Sequence, residues 1–254
     1  MRLQVNNNFR KTMNKSHLIF LDTETTGIGP DDRLCQVAYK FQGLEKEALF
    51  KPPVPIGVDA MAVAHITNKM VADKEPFIDS EMRKHLAEIF SGEHILVAHN
   101  VGFDAEMLRR ENLEPKSMID TFKLAQYFDV SGEIPKYALQ YLRYYHDLEV
   151  LDAPAHDALG DIRVLQKLFD YYFQKMLIEG KDEVALIGEM LDISSRPILV
   201  KKFNFGKYVG VSVADVARRD RGYLQWLLNE KIRVRDQGEG NDENWIFTLE
   251  HYLR

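Results

Sequence analysis

Asp22 and Glu24 stand two residues apart at the end of the apolar run His17-Leu18-Ile19-Phe20-Leu21. The run reads as a buried strand, and period-two alternation places both carboxylates on one face. Strand ends of α/β sheets are where ligand sites gather. Two carboxylates at that spacing repel unless a cation or a proton intervenes. Asp104 follows a second apolar run, Ile95-Leu96-Val97-Ala98, and Asp161 opens a long amphipathic stretch, five residues after His156. Taken singly, each acid also reads as a strand end or as a helix N-terminal residue favoured by the macrodipole, and His156 as a loop histidine. Taken together, four acids and a histidine suit a pair of hard divalent cations. Mg²⁺ prefers oxygen ligands and keeps several waters. Two such ions ~3.5–4 Å apart can clamp the attacking and leaving oxygens of an in-line phosphoryl displacement. A histidine with an ordinary pKa of ~6.5 can take a proton from the attacking water.

The elements that must hold these residues alternate between strand and helix. Leu34 to Phe41 and Lys46 to Phe50 read as strands, joined by a turn at Gly43. Met61 to Ala72 reads as a short helix and Phe77 to Phe90 as a longer one, with apolar residues at helical spacing. Ile95 to Ala98 is another buried strand, followed by a helix over Phe103 to Arg110. Ser117 to Phe128 starts extended and turns helical; Tyr137 to Tyr145 and Asp157 to Leu177 are helices, the latter capped by Asp157. This alternation predicts an α/β layer structure, and three consecutive early strands predict a mixed sheet flanked by helices.

The whole chain has 254 residues, with 33 basic and 39 acidic side chains and a net charge of −6. The balance is uneven: Arg196 to Arg235 carries +7 and the remainder −13. A basic segment on an acidic body fits a polyanion contact or a solvated face. Residues 1–15 are expected to be a mobile tail, or an upstream extension before a natural start at Met13. A boundary is expected over 179–195, as a linker, before a small module at 196–254 that holds both tryptophans. Cys35 is the single cysteine, so intramolecular disulfides and cysteine-based zinc sites are excluded and a cytoplasmic location fits. No apolar run approaches the ~18 residues of a membrane span. Gly27-Ile28-Gly29 is followed by Asp32 where a dinucleotide fingerprint needs glycine, and no phosphate-loop or nucleophile-elbow motif occurs.

Three ordered motifs resemble those of the DEDDh exonucleases, the superfamily of the proofreading ε subunit of bacterial replicative polymerase. They are Phe20-Leu21-Asp22-Thr23-Glu24-Thr25-Thr26-Gly27, Ala98-His99-Asn100-Val101-Gly102-Phe103-Asp104 and His156-Asp157-Ala158-Leu159-Gly160-Asp161. Ala64-His65-Ile66-Thr67 is similar to the family's segment beside the terminal base pair, with Ala64 a departure from many relatives. The resemblance spans residues 16–176. Phe205 to Ser212 and Gly222 to Leu228 are similar to the C-terminal module of exonuclease X-like proteins.

The resemblance implies a ribonuclease H-like core over 16–178 and 3′→5′ exonuclease activity that releases nucleoside 5′-monophosphates. It implies two Mg²⁺ or Mn²⁺ ions on Asp22, Glu24, Asp104 and Asp161, with His156 as the general base. DNA is the expected substrate, with RNA trimming as the enzymatic alternative and a non-catalytic nucleic-acid-binding or polymerase-accessory role as the other. A polymerase or repair protein is a candidate partner, and no membrane is expected. Thr23 and Thr25 are candidates to touch the terminal nucleotide, and His65, Ile66 and Phe103 to pack on terminal bases or, for Ile66 and Phe103, in the core. His99 and Asn100 are read as bracing the second motif. Tyr141, Tyr144 and Tyr145 lie outside the motifs and are assigned to surface or core. Lys201, Lys202, Lys207, Arg218, Arg219 and Arg221, with Tyr208, Tyr223 and Trp226 among them, are candidates for phosphate contact in the second module, unless its aromatics simply form a small core.

Overall fold

The computed structural model describes residues 13–150, 158–177, 180–238 and 242–254. They divide into two compact units, one of Met1–Leu124 with Lys136–Ser194 and one of Ala125–Pro135 with Ser195–Arg254. The elements run β1 (Leu18–Thr25), β2 (Leu34–Phe41), β3 (Leu44–Leu49), α1 (Val58–Ala64), α2 (Asn68–Val71), α3 (Glu81–Ser91), β4 (Ile95–Ala98), α4 (Val101–Arg110), β5 (Ser117–Asp120), α5 (Thr121–Phe128), α6 (Leu139–Tyr145), α7 (Ala158–Leu177), α8 (Glu183–Ser195), α9 (Val213–Arg219), α10 (Arg221–Asp236) and α11 (Glu243–Leu253).

The first unit is built on one mixed sheet in the order β3-β2-β1-β4-β5. β1 pairs antiparallel with β2 and parallel with β4, which pairs parallel with β5. β1 is central and covered on both faces, which is why it is a continuous apolar run. Ile19 and Leu21 enter a core with Val37, Tyr39, Leu96, the α3 residues Leu86 and Phe90 and the α4 residues Ala105 and Leu108. On the other face Phe20 meets Phe169 of α7 edge-on, ring centroids 5.5 Å apart, and α7 crosses β1, β2 and β3. Ten of the twenty α7 residues are buried. Even-numbered positions of β1 therefore face α7, and Asp22 and Glu24 inherit that direction.

Several elements differ from expectation for local reasons. The 61–72 helix is two short helices, because His65 adopts φ 57°, ψ 20° and Thr67 is extended. The 77–90 helix is interrupted at Ser80, whose hydroxyl donates to Phe77 O at 2.7 Å and accepts from Arg83 N at 3.1 Å. Such local side-chain bonding ends one turn and caps the next helix. The last residues of the expected tail are ordered: Met13 is 1% exposed, and Asn14 accepts from Ser16 N at the start of a 3-10 turn, Lys15–His17. Residues 1–12 and the capping role of Asp157 lie outside the described residues. The expected linker is corrected most. Residues 183–195 form α8, which buries Leu186, Ile187, Met190, Leu191 and Ile193; the charged cluster before it is its entry rather than a tether.

The second unit has its own core of Phe203, Val213, Val216, Leu224, Leu227, Leu228, Trp245, Ile246 and Leu249. Ser212 caps α9 and Asp220 caps α10, each accepting a first-turn amide at 3.0 Å. Among the described residues no helix is long and apolar enough to cross a membrane. Truncating the fully buried Ile187 to alanine is expected to cost ~2–5 kcal/mol of stability in urea melts, as for a buried aliphatic in a packed helix; a tether would show no change.

Candidate active site

β1 pairs with β4 only through Phe20, opposite Val97, while its pairing with β2 continues to Thr25. The last residues of β1 thus run beyond β4, into the crevice at the carboxyl ends of the parallel strands. A register shift between Glu24 and Thr25 ends the regular ladder there. The β4 chain leaves through Asn100, in the left-handed region at φ 68°, and turns into α4, whose first turn carries Asp104.

Asp104 is 4% exposed and accepts from the Thr23 hydroxyl at 2.7 Å. Asp161, on the first turn of α7, accepts from Gln140 Nε2. Asp22 and Glu24 are partly exposed. Burial raises the Asp22 carboxyl well above the usual range, and the negative charges of Asp104, Glu24 and Asp161 raise it further. Burial, with the charge of Asp161, pushes Glu24 up to about 7. Burial also pushes Asp104 up to about 7, against the Thr23 hydrogen bond. Three separated chain segments thus deliver four carboxylates that each oppose ionisation of a neighbour.

Among the described residues no three acid, histidine or cysteine side chains stand close enough together, as placed, to hold a metal ion. The donor set is all oxygen, open and mutually repulsive. That chemistry fits a hard divalent cation that keeps waters and takes further oxygens from a phosphate, with Asp22, Glu24, Asp104 and Asp161 as its holders. His156 lies outside the described residues.

A second layer keeps this set in place, and the sequence reading missed part of it. Asp120 ends β5 as Asp22 lies at the end of the apolar part of β1, a pattern that would have revealed it. It is 4% exposed and accepts from Asn100 N at 2.9 Å and Phe122 N at 3.0 Å, while its own amide donates to Ser194 Oγ at 2.8 Å. His99 braces the same turn. Its Nε2 donates to Tyr137 O at 2.6 Å, and its Nδ1 lies 2.9 Å from Thr121 Oγ1. Burial depresses His99 to about 4, so it stays neutral and is not a proton acceptor near pH 7. Asp32, also missed, accepts from Thr26 Oγ1 and Gly29 N, both at 2.6 Å. Gly27 is required beside it, because a Cβ there would lie 2.6 Å from Asp32 Oδ2. Gln140 had no signal in the sequence.

The substrate-contact candidates fare differently. The Thr23 hydroxyl is committed to Asp104 and the Thr25 hydroxyl to Gly27 O at 2.7 Å, so both brace the site. Ile66 is 3% exposed and packs with Cys35, Ile56, Ala64 and Val71; it belongs to the core, not to a base-binding surface. Phe103 is partly buried against the main core, and His65 is exposed. Burial pushes the Cys35 thiol up to about 12, which leaves it inert. In the second unit Lys207 pairs with Asp220 at 2.9 Å, Arg218 pairs with Asp215, and Arg221 donates to Tyr252 O at 3.2 Å. Of the rest of that set, Lys202 and Arg219 are exposed and Lys201 is partly buried.

The mixed sheet with its α7 cover, and carboxylates at the parallel strand ends, define a ribonuclease H-like α/β fold. The chain belongs to the exonuclease family: the model described as Exonuclease matches residues 19–169. A second model, Exodeoxyribonuclease X-like C-terminal, matches residues 203–231. Exodeoxyribonuclease 10 of Escherichia coli (strain K12) is 35% identical over 209 residues, covering 81% of this chain and 83% of that protein. DNA polymerase III subunit epsilon of Treponema pallidum is 32% identical over 60% of this chain and 75% of its own. Exonuclease X, solved with 5′ overhanging duplex DNA, is 30% identical with a TM-score of 0.54, covering 70% of this chain and 99% of that one.

The raised carboxyls make a stability prediction. Unfolded, Glu24 ionises near 4.5; folded, it keeps its proton to about 7. The fold then binds more protons in that window, and the group destabilises the metal-free protein progressively as pH rises through it. His99 acts in the opposite sense below ~6.5, so the readout is the difference from Glu24→Gln. In EDTA, the melting temperature of Glu24→Gln minus that of wild type should grow between about pH 5 and about pH 8. Added Mg²⁺ or Mn²⁺ should raise the wild-type value most at the upper end. A pH-independent difference would contradict the burial of this charge.

Proposed function

We propose that the protein is a metal-dependent 3′→5′ exodeoxyribonuclease that removes nucleoside 5′-monophosphates from DNA ends. The observation that carries this reading is the mutual electrostatic opposition of Asp22, Glu24, Asp104 and Asp161, in a family whose relative here is an exodeoxyribonuclease at 35% identity. A solved relative holds duplex DNA with a 5′ overhang, which leaves a recessed 3′ end.

In this reading the four carboxylates hold two Mg²⁺ or Mn²⁺ ions. When bound, such a pair neutralises charge on the phosphate, acidifies water and stabilises a departing oxygen. His156 takes the proton of the attacking water; the phosphorus–O3′ bond breaks, and the terminal nucleotide leaves with its 5′-phosphate. Thr23 fixes the Asp104 carboxylate and Gln140 fixes Asp161, so neither ligand has to find its orientation during turnover. The second unit contributes phosphate contacts through Lys201, Lys202 and Arg219. On α10 Trp226 is 55% exposed with the Tyr223 ring 5.5 Å away, a surface on which bases can stack.

A gel of 5′-labelled and 3′-labelled DNA, with matched RNA alongside, tests polarity and sugar choice. Stepwise shortening of the 5′-labelled strand and immediate mononucleotide release from the 3′-labelled one are expected, both abolished by EDTA. Asp22→Ala and Asp161→Ala should abolish turnover, and His156→Ala should cost ~10²–10⁴-fold while metal-induced stabilisation survives. Near-normal rates in the histidine variant would remove it as the base. Replacing Lys201, Lys202 and Arg219 together by glutamine should weaken binding and flatten its salt dependence, by ~0.7 in slope per lost single-strand phosphate contact. An unchanged slope would take the module out of phosphate recognition.

A further inference from the structure

The α6 helix presents a surface that the catalytic set does not use. Leu142 is its buried residue, while Tyr144 is 73% and Tyr145 45% exposed. Tyr141 and Tyr145, one turn apart, lie nearly parallel, with ring centroids 6.2 Å apart and 23° between planes. The Arg143 guanidinium sits 5.3 Å from the centroid of the Tyr144 ring. It also donates to Val150 O at 2.9 Å and Gln140 Oε1 at 3.5 Å.

The position of this shelf is fixed by Gln140. Residues 140, 143 and 144 fall on one face of a helix at i, i+3 and i+4. The first of them touches Asp161. Tyr144 is therefore one helical turn, ~5.4 Å along the axis, from the residue that holds a candidate metal ligand. At ~3.4 Å per stacked nucleotide, that turn spans one to two nucleotides.

We propose that Tyr144, with Arg143 beside it, is a base-stacking shelf for single-stranded DNA. It receives the second or third base from the 3′ end while the terminal nucleotide is at the carboxylates. The inference rests on the exonuclease reading and extends it to the strand upstream of the cleaved bond. Aromatic rings accept any base, because every base has a π face, so such a shelf holds the strand without reading sequence. The exposed Tyr144 ring offers a flat apolar face, and a base is a cover of matching shape.

Two substrates and one binding signal test this. For a single-stranded 12-nucleotide oligomer, Tyr144→Ala should raise KM about ten-fold, within the range of one lost base stack, and Tyr144→Trp should restore it. The p-nitrophenyl ester of thymidine 5′-monophosphate is too short to reach α6 and should be hydrolysed by Tyr144→Ala at the wild-type kcat/KM. With 2-aminopurine at the second or third position, wild type in EDTA should quench the fluorescence and Tyr144→Ala should not. An unchanged KM together with an unchanged quench would overturn the shelf, as would an equal loss on the ester. Wild-type protein that hydrolyses neither substrate would instead overturn the exonuclease reading, and the quench would still decide the shelf by itself.

Discussion

Crowded carboxylates in a half-buried crevice repel, and everything around them exists to hold them together regardless. A surface would let them drift apart into solvent. A closed core would simply protonate them. Here β1 is pinned centrally in the sheet, α4 begins beside it and α7 crosses it, so the acids have no freedom to separate. Burial first, and for Asp22 and Glu24 the charges of their neighbours as well, raises their proton affinity. A doubly charged ion relieves several repulsions at once, which protons do only by removing the charges that chemistry needs. The neutral His99 and the buried Asp120 serve this arrangement: both are used up in bonds that keep the β4–α4 turn rigid.

Two strands were legible to the residue, while the apolar run at 17–21 marked only the first part of β1, which continues to Thr25. Leu34–Phe41 and Ile95–Ala98 form as read, because burial on both faces leaves no ambiguity of register. The transition at 117–128 was also legible, since Asp120 and Thr121 mark it. Helices were read too long wherever a small polar residue could bond its own backbone, as Ser80 does. The 183–195 helix was hidden by the charges ahead of it. Within the site, residue type identified the acids, but not which hydroxyls were already engaged: Thr23 points at Asp104 because of a contact spanning 81 positions. By its place in a motif Ile66 could face bases or the core, and the packing of α1 and α2 turns it inward. Gln140 was invisible for the same reason as Thr23, since its partner lies 21 residues away.

The basic C-terminal segment shows why composition overstates contact surface. Lys207 lies over Tyr208 and Tyr223 at 4.8 and 4.7 Å from their centroids, and its ammonium is bound by Asp220. Those hydrogen bonds, with that of Tyr208, hold the Asp220 carboxyl down at about 2. One acid therefore serves three partners, counting the Tyr223 amide at the start of α10. Cations that organise a small aromatic core remain charged, yet they are less free to follow a phosphate backbone than their number implies.

The second unit is assembled from two stretches of chain, Ala125–Pro135 and Ser195–Arg254. Lys201 packs so closely on Gly132 that a Cβ at the glycine would come within 2.8 Å. During synthesis the earlier stretch leaves the ribosome about sixty residues ahead of its packing partners. It has to wait, uncovered, until the carboxyl-terminal helices arrive. A nascent chain halted inside α10 would carry a finished sheet and an orphaned segment, making an early stop there a hazard for quality control rather than a neutral shortening.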